Sequence, residues 1–551
     1  MVSAARSSTN TPQVLVAGAG PVGLTLAHEL TRRGVRVRLV DAREAPGTTS
    51  RAIATHPRTL EIYDQMGIVA DMLPRGRRIN AFTLFQNGRR LTVLEADYRR
   101  MPTRYPFTLT ISQVHTEQVL RTALARRGVE VEWGTRLTGF THDTDNVRVT
   151  LSGPAGAVEH LDVPWLAGCD GGHSLVRKRL GLHLAGETSE TWMLADAQVS
   201  TDLPRHSIYW VRTGGITMMM VPLLQPGRWR LLDTSTPPHD SDPDRVAERF
   251  TTMIGAGIAG TFQVSRPDWV SVFTFQQRMV HRMRIGRCLV AGDAAHVHSP
   301  ASGQGMNTGI QEAYNLAWKL AAVIHGQARE ELLDSYGEER VPVGRHLLRS
   351  TRTATRLIQL RNPVMERILP VFFALVRTVP ALRRTMQHKI LGNMSALGVD
   401  YRASSLSLTQ PHAPATRLRP GDRIARVTAA DSDSPAWSAL LPELREQRWT
   451  LVVFDPTRQQ AARLRALQRA HKDWLRVRSV VPGAQPDTAS DAPGPLTDDG
   501  TLRRAWDAGP EDWLLIRPDG YLCARGSRLT DEAFTALLAR LPLTAGRPPA
   551  P

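Results

Sequence analysis

The sequence predicts an α/β fold in three parts, and three observations carry that reading. The chain opens on a strand, a glycine-rich turn, a helix and a second strand within residues 13–41. Residues 186–283 then turn β-rich, with imperfect alternation broken by Pro and Gly, as in a twisted mixed sheet. A polar stretch at 401–420 precedes a second, smaller α/β pattern over 421–545.

In the opening unit, "QVLVAG" is a short apolar strand. "PVGLTLAHELTRRG" carries apolar residues at helical spacing and stops at Gly34, and "VRVRLVD" alternates as a strand does. Later segments return to the same sheet: the helix and strand in "QVLRTALARRGVEVEWG", the strand end and helix in "VPWLAGCDGGHSLVRKRLGL", and the strand in "GRCLVAGDAAHV". One nucleotide-binding domain, 13–185 and 284–400, is therefore interrupted by a sheet domain at 186–283 that borrows part of 80–110. Residues 309–395 read as helical. Beyond the linker come "WTLVVFD", a helix in "TRQQAARLRALQRAH", a loop rich in Pro, Gly and Asp, and the strand pair of "DWLLIRPDGYLCARG".

Composition narrows the function. At 551 residues, 42% apolar and 22% charged, the chain suits a soluble protein of several domains. No run of 18 apolar residues predicts a membrane span; "ILPVFFALV" at 368–376 is too short and reads as one face of a buried or interdomain helix, with a peripheral membrane contact as the alternative. The first 12 residues are polar and lack a signal-peptide core. Cys169, Cys288 and Cys523 lie far apart with no metal-ligand spacing, which fits a reducing cytoplasm. The net charge of +17 comes from scattered Arg, with only four Lys, so nucleic acid is not the expected partner; such a field does attract anionic cofactors and substrates.

Three motifs carry chemistry. In "GAGPVG", Gly18 permits the tight turn, Gly20 lets backbone N–H groups approach a pyrophosphate, and Gly23 lets the helix pack on the strand. Asp41 ends the next strand, where a carboxylate accepts ribose hydroxyls, so the unit is a Rossmann-like dinucleotide site. The second motif, "CDGGHSLVRKRLG", sets Asp170 and Gly171 between strand and helix; its plain structural reading is a helix cap. The third, "RCLVAGDAAHVHSPASGQGMNTGIQEAYN", sets Asp293 at a strand end, then small residues, then a helix; Asp293 could likewise be only a cap. Small residues there suggest that something large lies against the backbone.

In this order and spacing, residues 13–400 resemble the FAD-dependent aromatic hydroxylases of the p-hydroxybenzoate hydroxylase type, single-component flavoprotein monooxygenases. The resemblance implies a Rossmann-like FAD-binding domain interrupted by a mixed β-sheet substrate domain, and a C-terminal thioredoxin-like domain, here without CxxC and so more suited to packing or oligomerisation, as a monomer or homodimer. It assigns Gly18, Gly20, Gly23 and Asp41 to the ADP half of FAD, Arg51 to the pyrophosphate, and Gln113 to the pyrophosphate and ribityl chain. Asp170 and Gly171 match a motif tied to FAD and NAD(P)H use, and Asp293 the acid that binds the ribityl hydroxyls. Pro300 and the backbone of Gly305, Met306 and Asn307 match the loop at the flavin ring. Three departures stand out: Asp41 where Glu is usual, Ala42 where a basic residue often lies near the adenine, and Ser299 in place of a second Pro.

The implied activity is hydroxylation of a phenolic or polycyclic aromatic compound, of secondary-metabolite type, using O2 and NADPH or NADH through a flavin C4a-hydroperoxide. A single GxGxxG leaves no separate nicotinamide domain, so NAD(P)H visits transiently. Oxygen insertion of the Baeyer-Villiger kind or epoxidation on the same scaffold, and non-catalytic sequestration of a ligand by an FAD-bound protein, are the alternatives; the WxWxIP signature of flavin halogenases is absent. The expected substrate wall comprises Trp210, Met218, Met220 and Pro222, with Phe82 and Phe85, while His296 and His298 read as structural.

Overall fold

A computed structural model describes residues 11–49, 52–95, 98–235, 242–298, 303–359, 363–379, 395–410, 416–483 and 494–544, with single positions 382 and 392. Arg51 and Pro300 lie outside these residues.

The opening strand, Val14–Ala17, is four apolar residues buried on both faces. A strand of that composition pays for its burial only inside a covered parallel sheet, and that is where it sits. It pairs in parallel with Val37–Asp41 on one side and Trp165–Gly168 on the other. The full order is Arg284–Ile285, Cys288–Val290, Trp165–Gly168, Val14–Ala17, Val37–Asp41, Val131–Trp133, so the segments far apart in sequence do return to one sheet. Helices Pro21–Arg32 and Gly305–Ile324 share the core that covers it. A three-stranded antiparallel meander of Arg136–His142, Val147–Ser152 and Val158–Val163 stands beside this core.

The second sheet runs His296–Val297, Trp269–Met279, Ala185–Ser200, Arg228–Asp233, Ile216–Pro222, Ser207–Thr213, Ala81–Gln86, Arg89–Leu94, with Gln263–Val264 paired to Ala185–Ser200 at the side. Its pairs are antiparallel except Ser207–Thr213 with Ala81–Gln86. Successive side chains of a strand point to opposite faces. One face packs Met193, Tyr209, Val211, Met218, Met220 and Trp229 against Phe250 and Ile254 of helix Pro243–Gly257. The other face borders a cavity.

The helix expected at 368–376 forms as Pro363–Thr378, but it is not buried: Ile368, Val371, Phe372 and Leu375 are exposed, and Ile368, Phe372 and Phe373 border the same cavity. Its apolar residues serve a rim rather than a core.

The C-terminal sheet runs Leu496–Asp498, Leu475–Pro482, Trp449–Phe454, Asp512–Ile516, Leu522–Ser527; the first three strands are parallel and the last two antiparallel to their neighbours. Trp449, Leu451 and Val453 face one core and Val452 and Phe454 the other. The first of these cores also contains Trp318, Ala328 and Leu332 from the region after the cavity, and Leu406 and Leu408 from the stretch read as a linker. That stretch is packed rather than loose, because its two leucines bury where its polar residues cannot.

Removing residues 416–544 would bare Trp318 and Leu332, so the truncated chain is expected to aggregate; full-length protein is expected to unfold in a single transition, measured by calorimetry and soluble yield.

Candidate active site

A cavity of about 2140 Å³ runs from the glycine turn to the free face of the second sheet. At one end stands the turn itself. Gly18 has φ +103°, and a Cβ on it would lie 2.3 Å from the Cys169 carbonyl oxygen. A Cβ on Gly23 would lie 1.9 Å from the Gly18 carbonyl oxygen, so helix and turn touch only because both lack side chains. A Cβ on Gly20 meets nothing within 4 Å and would enter the cavity.

Asp41 closes this end. Its carboxylate accepts the Ala19 N–H at 2.7 Å and the Arg43 N–H at 2.9 Å. The Arg43 guanidinium donates to both carboxylate oxygens, at 3.1 and 3.0 Å, and lies 5.5 Å from the centre of the Trp133 ring. Burial disfavours the charged carboxyl, but the hydrogen bonds from Arg43 and Ala19 outweigh it and hold its pKa below the ordinary value. A basic side chain thus stands at 43, next to the Ala42 position where the pattern anticipates one, and it borders the cavity. Gln113 begins helix Gln113–Ala125, capped by Ser112, and donates to Glu117 at 2.9 Å. Both line the cavity.

The N-cap of the helix that follows is Ser174, which accepts the Arg177 N–H at 2.9 Å, and Asp170 supports the same turn: one of its oxygens accepts the N–H groups of Leu175 at 2.7 Å and Val176 at 3.1 Å. Its other oxygen is buried without a hydrogen-bond partner at the edge of the cavity. Gly171, with φ +75°, lines the cavity next to it.

Asp293 occupies the single turn Gly292–Ala294 and is exposed to the cavity while both neighbours are buried. This turn is held from beneath by Glu312, which sequence reading passed over. The Glu312 carboxylate accepts the Gly292 N–H at 2.9 Å and meets His296 Nε2 at 2.7 Å, with both side chains almost fully buried. Burial opposes charge on each; the mutual attraction prevails, raising the His296 pKa and lowering that of Glu312. An acid in the middle of the apolar helix "GIQEAYNLAWKL" was the available signal, since a buried charge demands a partner.

Helix Gly305–Ile324 starts at the cavity, and its first three N–H groups, on Gly305, Met306 and Asn307, have no acceptor within the helix. Gly303, Gln304, Gly305 and Met306 line the cavity. Asn307 instead turns inward: it accepts the His56 N–H at 2.9 Å and donates to Ala54 O and Gly303 O, each at 2.8 Å.

Of the residues expected in the substrate wall, Trp210 and Phe82 line the cavity. Met218 and Met220 do not: they are fully buried on the opposite face, as is Phe85. Pro222 is also buried and offers its carbonyl to Thr110. The strand Ile216–Pro222 presents Thr217, Met219 and Val221 to the cavity. The expected residues are off by one position, which on a strand is the other face.

These features fit FAD. The opening at Gly20, the unpaired Asp170 oxygen, the Asp293 carboxylate and the helix start at Gly305 and Met306 all border one elongated cavity, as a long cofactor with a pyrophosphate and a polyol chain requires.

Three variants test the geometry. Met219→Ala is expected to weaken substrate binding with little change in stability, whereas Met218→Ala costs about 2–5 kcal/mol in denaturant titration. Glu312→Gln is expected to cost about 3 kcal/mol near neutral pH. The His296 contribution is complete below its unfolded pKa and fades as pH rises through the raised folded value. The Glu312 contribution is complete above its unfolded pKa and fades as pH falls through the lowered folded value. The stability gap between wild type and Glu312→Gln should therefore be widest at about pH 5–6.5 and narrow on either side, as measured by melting across pH.

Residues 11–351 match the family described as FAD binding domain. The chain is 46% identical to 6-methylpretetramide 4-monooxygenase of Streptomyces rimosus over 532 residues, 97% of this chain and 94% of that one. It is 30% identical to pentachlorophenol 4-monooxygenase of Sphingobium chlorophenolicum, over 96% and 97% of the two chains. Among solved structures, anhydrotetracycline hydroxylase of Streptomyces rimosus superposes with a TM-score of 0.74 at 29% identity, covering 97% of this chain and 99% of that one. With the nucleotide cavity and the second sheet already in view, these likenesses show that the chain belongs to the FAD-dependent monooxygenases of the aromatic hydroxylase type.

Proposed function

We propose that the chain hydroxylates a polycyclic aromatic compound of polyketide type, with FAD bound between the glycine turn and the Asp293 turn and the substrate against Trp210 and Met219. The observation that carries this reading is the continuity of the cavity. Its volume, about 2140 Å³, exceeds the 300–1,000 Å³ common for a single ligand and suits a dinucleotide with a multi-ring substrate beyond it. The relatives named for 6-methylpretetramide and anhydrotetracycline support a multi-ring substrate over a single ring.

Gly18, Gly20 and Gly23 bring the backbone to the pyrophosphate, Asp41 with Arg43 holds the adenosine end, and Gln113 and Asp170 flank the middle. Asp293 accepts hydroxyls of the ribityl chain. The start of helix Gly305–Ile324 turns its positive end to the flavin and favours negative charge there. Bound there, FAD would supply the redox chemistry of a monooxygenation, in which NAD(P)H provides two electrons and one atom of O2 goes to the substrate and the other to water. The protein's part is to orient the ring and exclude water. Phe82, Leu84, Ile208, Trp210, Met219 and Val221 supply an apolar wall for that purpose. Ile368, Phe372 and Phe373 close one side of the mouth. Arg51 and Pro300 keep the roles their motifs imply, at the pyrophosphate and beside the flavin ring.

Among the described residues no helix is long and apolar enough to cross a membrane, and all three cysteines are free, in keeping with a site of action in the reducing cytoplasm.

The purified protein should be yellow, and Asp293→Ala should lose its flavin absorbance. A four-ring phenolic substrate should accelerate NAD(P)H oxidation more than a one-ring phenol, with a product heavier by one oxygen atom and its rings intact by NMR. A ring-expanded ester would identify Baeyer-Villiger insertion instead, and no acceleration by any aromatic would leave sequestration.

A further inference from the structure

The catalytic reading leaves unused a cluster of buried charges on the far side of helix Gly305–Ile324. Lys319, Glu339, Arg340, Arg517 and Asp519 are each at most 3% exposed. Arg517 and Asp519 sit in the turn between the last two strands of the C-terminal sheet. Arg517 donates to the two oxygens of Glu339 at 2.6 and 3.0 Å, and Lys319 donates to Glu339 at 2.7 Å. Asp519 accepts from Trp318 Nε1 at 3.1 Å and from Asn315 at 3.3 Å. The C-terminal turn is thus latched to the helix that starts at the cavity.

A second route reaches the Asp293 turn itself. The Arg517 guanidinium lies 5.3 Å from the centre of the Tyr401 ring. The Tyr401 hydroxyl accepts from Arg340 at 3.0 Å. Arg340 donates to the Thr308 carbonyl at 3.3 Å, in the first turn of helix Gly305–Ile324, and stands 4.0 Å from Glu312. Glu312 holds Gly292 and His296. The steps between the C-terminal turn and the turn bearing Asp293 join buried groups through hydrogen bonds, except for the Arg517–Tyr401 ring contact and the 4.0 Å Arg340–Glu312 ion pair.

Burying ions is a poor route to stability alone, because their desolvation offsets their attraction and apolar residues would serve as well. What they add is a fixed geometry. We propose that Tyr401 and Arg517 are positioning residues for FAD: through Arg340 and Glu312 they set the Gly292–Ala294 turn and the start of helix Gly305–Ile324 against the cofactor, and so make the C-terminal unit part of the flavin site. This rests on the placement of FAD proposed above.

Tyr401→Phe keeps the ring beside Arg517 and removes the hydroxyl that accepts from Arg340. Apo-protein should be titrated with FAD by fluorescence quenching, the midpoint potential of the bound flavin measured, and the melting temperature of the apo-protein recorded. The expected result is a rise of roughly tenfold in the FAD dissociation constant and a shifted potential. The effect should be less than additive with Glu312→Gln, because both lie on one route. A lower melting temperature with unchanged affinity and potential would make Tyr401 merely structural and overturn the proposal, as would strict additivity with Glu312→Gln. If Tyr401→Phe fails to fold, Arg517→Lys, which keeps a charge beside Glu339 and Asp519, supplies the same readings. Asp293→Asn separates the two ideas: FAD affinity that is insensitive to Asp293→Asn counts against the FAD placement, whereas sensitivity to Asp293→Asn without any to Tyr401→Phe counts against the relay.

Discussion

The site depends on one buried carboxylate. Glu312 is fully enclosed on its helix, and its charge is tolerable because the Gly292 N–H and His296 answer it, with Arg340 4.0 Å away. The same two contacts tie the Gly292–Ala294 turn and the strand His296–Val297 down onto the helix. That strand is also the edge of the second sheet, paired with Trp269–Met279. One ion pair therefore fixes the helix start, the Asp293 turn and the edge of the substrate sheet relative to one another. Stability and the shape of this end of the cavity are linked at this point, so a change made for one is felt by the other.

The glycine turn works on a different principle. There the constraint is closeness of backbones rather than charge. Gly18 and Gly23 bring turn, helix and the Cys169 strand end within distances no side chain allows, while Gly20 leaves the surface facing the cavity bare. Asp41 lies within reach of both the turn, through Ala19, and the outer strand, through Arg43. The two ends of the cavity are consequently built independently and joined by the central strands Val14–Ala17, Trp165–Gly168 and Cys288–Val290, from whose ends the turns spring.

What could be read in the sequence was what is local. The turn glycines, Asp41, Asp170 and Asp293 each follow a strand within a few residues, so their place at the sheet's end is set by short-range pattern. The place of Arg43 is not legible because the Trp133 ring it lies over comes from a strand far along the chain. Glu312 escaped because its partners lie 16 to 20 residues upstream and meet it only after the helix docks. Met219 was misread as Met218 and Met220 because "ITMMMVP" is apolar at nearly every position, so alternation gives no parity; only pairing with Ser207–Thr213 and Arg228–Asp233 decides the face. The stretch 401–420 reads as a linker by composition, yet Leu406 and Leu408 are core residues of a unit that is completed 100 residues later.

That parity has a consequence for how such a scaffold changes substrates. On Ile216–Pro222 and Ser207–Thr213, alternate residues belong to two different problems: Met218, Met220, Tyr209 and Val211 hold the sheet to helix Pro243–Gly257, and Thr217, Met219, Ile208 and Trp210 border the cavity. A substitution on the cavity side alters ring fit while leaving the packed core at its normal density. A substitution on the core side removes contacts that no ligand can replace. Backbone hydrogen bonds of the sheet are the same for both sets, so the wall can be rewritten residue by residue without loss of register. The Asp293 turn and the helix start have no such freedom, because the residues that shape this end of the cavity are held by buried charges. Differences in substrate should therefore accumulate on the cavity-facing positions of the sheet and on the rim residues Ile368, Phe372 and Phe373, and not in the turn that Glu312 holds.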